Sequence, residues 1–127
     1  MGIQKVRLHY NMLNDGVIAE TVLTLRMAFK RTKAPLWKDV ERRVLNSRRN
    51  RREVNMDKLS KFTKNGDVVI VPGKVLGAGN LGHSIIIYAY SISRSASLKI
   101  SKAGGQILAL ADFVEKYPHG SGVKIIG

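Results

Sequence analysis

Gly77-Ala78-Gly79-Asn80-Leu81-Gly82 spells the G-x-G-x-x-G string of dinucleotide sites. In such sites a turn from strand to helix offers backbone amides and a helix N-terminus to a pyrophosphate. The context here is wrong for that chemistry. The next segment, Ile85 to Tyr90, reads as a strand, and no acidic residue lies between Val68 and Ala111 to hold a ribose hydroxyl. The string therefore predicts a flexible glycine-rich connection between two strands, with backbone amides and Lys74 able to lie close against an RNA backbone. His83 beside Ser84 has the residue types of a nucleophile and its base, but neighbours on a strand point to opposite faces. His9, His83 and His119 are scattered without metal-ligand spacing, and the chain has no cysteine. Asp112 and Glu115, one helical turn apart, fit helix capping and local charge balance better than acid–base work. The expectation is a protein with no catalytic residue, no metal and no cofactor.

The chemistry that the sequence does offer is cationic. Among 127 residues, 22 Lys and Arg face 9 Asp and Glu, a formal charge of +13, and the pI is near 10.4. Such a chain seeks polyanions, either nucleic acid or an anionic membrane face. The charge is concentrated: residues 26–67 hold fourteen bases against five acids, and 68–111 hold Lys74, Arg94, Lys99 and Lys102 with no acid at all. Its densest point is Arg48, Arg49, Arg51 and Arg52 around Asn50. The planar guanidinium fork suits phosphate oxygens better than an ammonium does. With so few local acids to pair with, residues 46–53 are expected to be unordered without RNA.

Around this loop the apolar pattern sets the elements. Ile18, Val22, Leu25 and Phe29 recur at helical spacing and predict a helix over 17–32, interrupted by Pro35. A second helix carries Leu36, Val40 and Val44 on one stripe, with Asp39 and Glu41 in its first turn and Arg42 and Arg43 toward its end. After the loop, Asp57 is expected to cap a short helix through Phe62 that Asn65-Gly66 stops. Val68 to Val71 is a strand ended by Pro72-Gly73. Ile85 to Tyr90 is a continuous apolar strand, buried on both faces. Ser93 caps a helix with Ala96, Ile100 and Ala103 inward, which turns Arg94, Lys99 and Lys102 toward a second anion-facing surface. Ile107 to Leu110 and Val123 to Ile126 are strands flanking a helix from Asp112 to Tyr117. This rhythm is that of a compact α/β domain over 54–127, preceded by a basic helical part over 1–53. The longest apolar run is far too short to span a bilayer, so the sequence reads as soluble and intracellular. Trp37, the only tryptophan, either stacks on a base or anchors the second helix; its neighbour Leu36 and the helical stripe favour the anchor.

Several stretches, taken in order, carry a family likeness: Lys33-Ala34-Pro35-Leu36-Trp37, Arg48 to Asn55, Val71-Pro72-Gly73-Lys74-Val75-Leu76-Gly77, Ser93 to Gly105, and Gly120 to Gly127. Together, from about Leu25 onward, they resemble the archaeal and eukaryotic large-subunit ribosomal protein family called L-eighteen-e, in its short archaeal form. The resemblance implies an α/β core of about three irregular strand-strand-helix superhelical turns, shared with the universal fifteenth large-subunit protein. It also implies a structural constituent of the large ribosomal subunit in the cytoplasm. The expected partners are large-subunit ribosomal RNA and neighbouring large-subunit proteins, with no membrane and no small-molecule substrate. Combined with the charge reading, it puts phosphate contacts on Lys30, Arg31, Lys33, Lys38, Arg42, Arg43, Arg48, Arg49, Arg51 and Arg52, and a secondary contact on Lys74. The runner-up is a free-standing RNA- or DNA-binding protein outside the ribosome.

Overall fold

The computed structural model describes residues 9–46 and 53–127, so the four loop arginines lie outside the described residues, as does the expectation about order in that loop. The first helix, α1 (His9–Thr32), begins before the expected 17, and α2 spans Pro35–Asn46. Pro35 is not what breaks the helical path. It is the first residue of α2, a position that needs no N–H donor, and the break is made by Lys33, whose φ of 61° is left-handed. Its N–H closes α1 on the Phe29 carbonyl at 2.7 Å. The helix α3 (Met56–Phe62) is capped by Asn55, not Asp57: the Asn55 side chain accepts from the Lys58 amide at 3.0 Å.

The remaining elements are β1 (Glu53–Val54), β2 (Asp67–Val75), β3 (Ile85–Ile92), α4 (Arg94–Lys102), β4 (Gln106–Ile107), α5 (Leu110–Lys116) and β5 (Val123–Ile125). Ser93 caps α4 as expected, accepting from the Ala96 amide. The third expected strand, Ile107 to Leu110, is shorter, because Leu110 already opens α5. All pairings are parallel, in the order β1-β2-β3-β4. On the edge of β2 away from β3, β5 pairs at Val68–Ile70 and β1 at Lys74–Val75. Pro72-Gly73 does not end β2. The strand continues through it with a register shift between Val71 and Lys74, and Pro72, which has no N–H for the ladder, falls in the gap between β5 and β1.

Parallel neighbours require the chain to return to its starting level, usually through a helix. Between β2 and β3 no helix is available. Asp67 lies beside Ile85 and Val75 beside Ile92, so residues 76–84 must recover the rise of seven steps along β3, about 23 Å. Ten Cα steps reach at most about 36 Å, so the glycine-rich string is long enough to make the return without a helix. It runs along α3: Ala78 accepts from the Met56 amide at 2.8 Å, and Ser84 accepts from the Gly66 amide at 2.8 Å.

Side-chain alternation along the sheet makes two cores. Ile70 and Tyr88 join Leu25, Ala28, Trp37, Val40, Val44 and Phe113 beneath α1, α2 and α5. Val69, Val71, Ile85 and Ile87 join Met56, Leu59, Ala96 and Ile100 beneath α3 and α4. The molecule is thus three layers deep, with helices on both faces of the sheet. Burial pushes the Tyr88 phenol up to about 12, against a lowering hydrogen bond from Thr21.

At the start of β2, Asp67 pairs with Lys124 of β5 and accepts from the Lys64 amide, each at 2.8 Å. The Lys124 hydrogen bond, then the Lys64 amide, hold the carboxyl below its ordinary value. The native state therefore binds this proton less tightly than the unfolded chain. Its contribution is complete above the usual carboxylate range near pH 4 and is lost as pH falls through the lowered native value. Lys124→Met is expected to flatten the acid side of the stability curve. Urea midpoints between pH 7 and pH 3 check this, and parallel curves for both proteins would refute it.

Candidate nucleic-acid interface

The turn between α1 and α2 collects four of the expected phosphate ligands. Lys30 and Arg31 lie exposed in the last turn of α1. Thr32 fixes the turn, its hydroxyl donating to the Ala28 carbonyl at 2.8 Å and accepting from the Ala34 amide at 3.2 Å. Lys33 then swings back over its own helix. Its ammonium lies 5.9 Å from the centre of the Phe29 ring, and the ammonium of Lys38, from α2, lies 5.2 Å from the same ring. Two cations thus lie within cation–π reach of one aromatic ring. Phe29 was read from the sequence only as a member of the apolar stripe; the i, i+4 spacing to Lys33 was visible, but the approach of Lys38 across the turn was not.

Further along α2 the bases are paired. Arg42 and Arg43 both bond the carboxylate of Asp39, Arg43 at 3.3 Å. Partial burial pushes the Asp39 carboxyl up, but the Arg42 hydrogen bond and the two guanidinium charges outweigh it and hold the group below its ordinary value. Arg26 of α1 bonds Glu41 of α2 at 2.9 Å and ties the two helices together. A shallow depression of about 550 Å3 runs along this side of α2, lined by Pro35, Lys38, Asp39, Glu41, Arg42 and Leu45. It is broad and open, a shape that meets a polymer surface rather than enclosing a small molecule. Lys74 is exposed on β2, in register with Glu53 of β1.

The glycine string is filled by the protein itself, and it is held in place rather than loose. A Cβ on Gly77 would strike Ser95, and one on Gly79, which has φ +90°, would strike the Asp57 carboxylate. Asp57 also accepts from the Asn80 amide at 3.1 Å, and the Lys99 ammonium donates to the carbonyls of Gly77 and Gly79 at 2.6 Å each. Lys99 is thereby withdrawn from the anion-facing surface expected on α4. His83 is structural too. Its Nε2 lies 2.7 Å from the Thr63 hydroxyl, which bonds the Leu59 carbonyl at 2.6 Å, so the ring anchors the end of the return segment to α3. Trp37 is fully buried, with its indole N–H donating to the Pro118 carbonyl at 2.8 Å, and stacks on no base. Among the described residues no group of three His, Cys, Asp or Glu is placed to hold a metal, and no helix is long and apolar enough to cross a membrane.

The fold and site define a basic, parallel α/β domain whose glycine segment is filled by its own side chains and whose bases crowd an exposed helical corner. Residues 10–127 match the family described as ribosomal protein 60S L18 and 50S L18e, and the chain belongs to that family. Its sequence is 45% identical over 102 residues to the large ribosomal subunit protein eL18 of Pyrobaculum aerophilum, covering 80% of this chain and 84% of that one. It is 40% identical over 109 residues to the protein of the same name from Methanothermobacter thermautotrophicus, covering 86% and 90%. With the one from Methanococcus maripaludis the figures are 36% over 107 residues, 84% and 89%. The family is one of ribosomal structural components, not known as enzymes.

Proposed function

We propose that the protein is a structural constituent of the large ribosomal subunit that binds ribosomal RNA through its basic N-terminal part, residues 1–53, carried on the α/β core of 54–127. The observation that supports this most directly is the α1–α2 corner, where Lys30, Arg31, Lys33 and Lys38 stand exposed without an acidic partner among the described residues. These four bind phosphate oxygens, with Arg42 and Arg43 exchanging Asp39 for phosphate and Arg48, Arg49, Arg51 and Arg52 extending the contact along the backbone. Lys74 adds a secondary contact at the glycine-rich connection. The contacts fix position and register, and neighbouring large-subunit proteins complete the site. The protein accordingly resides in the cytoplasm within the subunit.

Binding of the full chain to large-subunit ribosomal RNA fragments across a salt series tests this. Log affinity falls steeply with log salt. Changing Arg48, Arg49, Arg51 and Arg52 together to Ser lowers the slope by about 3 units, at roughly 0.7–0.9 per phosphate contact. An unchanged slope removes the arginines from the contact. A protein found mainly outside the large subunit in high-magnesium lysate would favour the free-standing RNA- or DNA-binding reading.

A further inference from the structure

We propose that the α3–α4 layer is a second RNA surface, so that one molecule bridges two RNA segments lying on opposite faces of its sheet. This rests on the ribosomal-RNA reading above, and it adds a second RNA segment to the one proposed for the N-terminal basic part. The first basis is placement. α3 and α4 cover the sheet face opposite α1, α2 and α5, because Val69, Val71, Ile85 and Ile87 point one way and Ile70 and Tyr88 the other.

The second basis is charge. α3 and α4 carry Lys58, Lys61, Arg94, Lys99 and Lys102 against the single acid Asp57, whose carboxylate is committed to the Asn80 amide. With Lys99 turned inward onto the Gly77 and Gly79 carbonyls, the outward bases are Lys61, Arg94 and Lys102, all exposed, and the half-buried Lys58. Arg94, Leu98 and Lys102 follow one another at i, i+4 and i+8 and form a single exposed stripe down α4, beside the exposed Ser95 and Ser101. None of Lys58, Arg94 and Lys102 forms an ion pair with a described residue. Folding alone gives no reason to gather bases here, since like charges on a shared layer repel.

The third basis is an exposed aromatic. Phe62, at the end of α3, belongs to neither buried cluster and is 52% exposed. The ammonium of Lys61 lies 5.6 Å from its ring centre. An exposed ring with a cation beside it offers a stacking face to an unpaired base and a charge to the adjoining phosphate. Polar cover would have sufficed for solubility.

The test is a capture experiment with the full chain at physiological salt and excess transfer RNA as competitor. One pool of large-subunit ribosomal RNA fragments is biotinylated and immobilised, and a second pool is fluorescent. The wild type holds the first pool and recruits the second. A variant with Lys61→Ser, Arg94→Ser and Lys102→Ser, checked for an unchanged urea midpoint, still holds the first pool and recruits about tenfold less of the second. Phe62→Ser lowers recruitment of single-stranded fragments alone. Equal recruitment by the triple variant, or a wild type that holds the first pool and never recruits the second, overturns the bridge while leaving the ribosomal-RNA reading intact. A wild type that fails to bind the immobilised pool overturns that reading first, and the bridge with it.

Discussion

Replacing Trp37 by alanine is expected to lower the unfolding free energy by about 3–5 kcal/mol. The side chain is fully buried, and its ring meets Phe113 edge-on at 6.4 Å, while Phe113 in turn packs on Tyr88 at 6.4 Å and Tyr117 at 5.1 Å. Trp37 therefore ties α2 to α5 and, through Phe113, to Tyr88 of the sheet. Alanine removes the aromatic contacts, leaves a cavity and strips the Pro118 carbonyl of its 2.8 Å donor. Against a total of roughly 5–15 kcal/mol for a domain, the loss takes away a large part of the margin. Trp37→Phe keeps most of the apolar volume and is expected to cost less, about 1–3 kcal/mol, mainly for the unpaired carbonyl. Urea denaturation followed by far-ultraviolet circular dichroism separates the two, since the only tryptophan is lost in both variants. An alanine variant within 1 kcal/mol of wild type would show that the indole does not hold the helical layer in place.

Lys99→Met is the second large effect, about 2 kcal/mol, together with a loosening of residues 76–82. A hydrogen bond to a charged donor contributes about 1.5–3 kcal/mol. Lys99 makes two, to the Gly77 and Gly79 carbonyls, but its half-buried position returns part of that to water. Methionine keeps the length and apolar stem of the side chain and removes only the ammonium. The return segment would then keep its bonds to Val54, Met56 and Asp57 and its anchor at His83, but lose its ties to α4 through Lys99. Amide hydrogen exchange reads this directly: protection of the Asn80 amide falls relative to β2 and β3. Unchanged exchange with unchanged stability would mean that the α3 contacts suffice.

The two α2 arginines show why part of the site was legible in the sequence and part was not. Arg42 and Arg43 follow Asp39 at i+3 and i+4, so their pairing lay in the spacing itself. The Val40 and Val44 stripe and the anchoring role of Trp37 were legible for the same reason: helical periodicity is local. The continuous apolar run of β3 likewise announced burial on both faces, and Ile87 and Tyr88 do enter opposite cores. What periodicity does not contain is the identity of the element lying above a face. It put Lys99 on the polar side of α4 but could not say that the glycine segment passes there. It marked Pro72-Gly73 as a stop, whereas the two neighbours on that edge of β2 simply leave room for it. The two-residue β1 has no local signal, since Glu53-Val54 becomes a strand only through the register of Lys74 and Val75. Asn55 is the cap because α3 begins at Met56, which puts Asp57 inside the helix, where its carboxylate accepts from the Asn80 amide 23 residues away in sequence.

The shared edge of β2 sets an order of events during synthesis. β1 and β5 occupy that edge together, and the Ile126 amide bonds the Ile70 carbonyl at 3.0 Å, so residues made about 55 positions apart must meet to close it. While the chain emerges, α1, α2 and the β2–β3 pair can assemble, but the stretch Val68–Ile70 keeps an open ladder until Val123–Ile125 has left the exit tunnel. An unpaired apolar edge in a nascent chain is a template for pairing with another chain. Pairing by Val123–Ile125 thus decides whether this edge of β2 is closed within the chain or stays open to another.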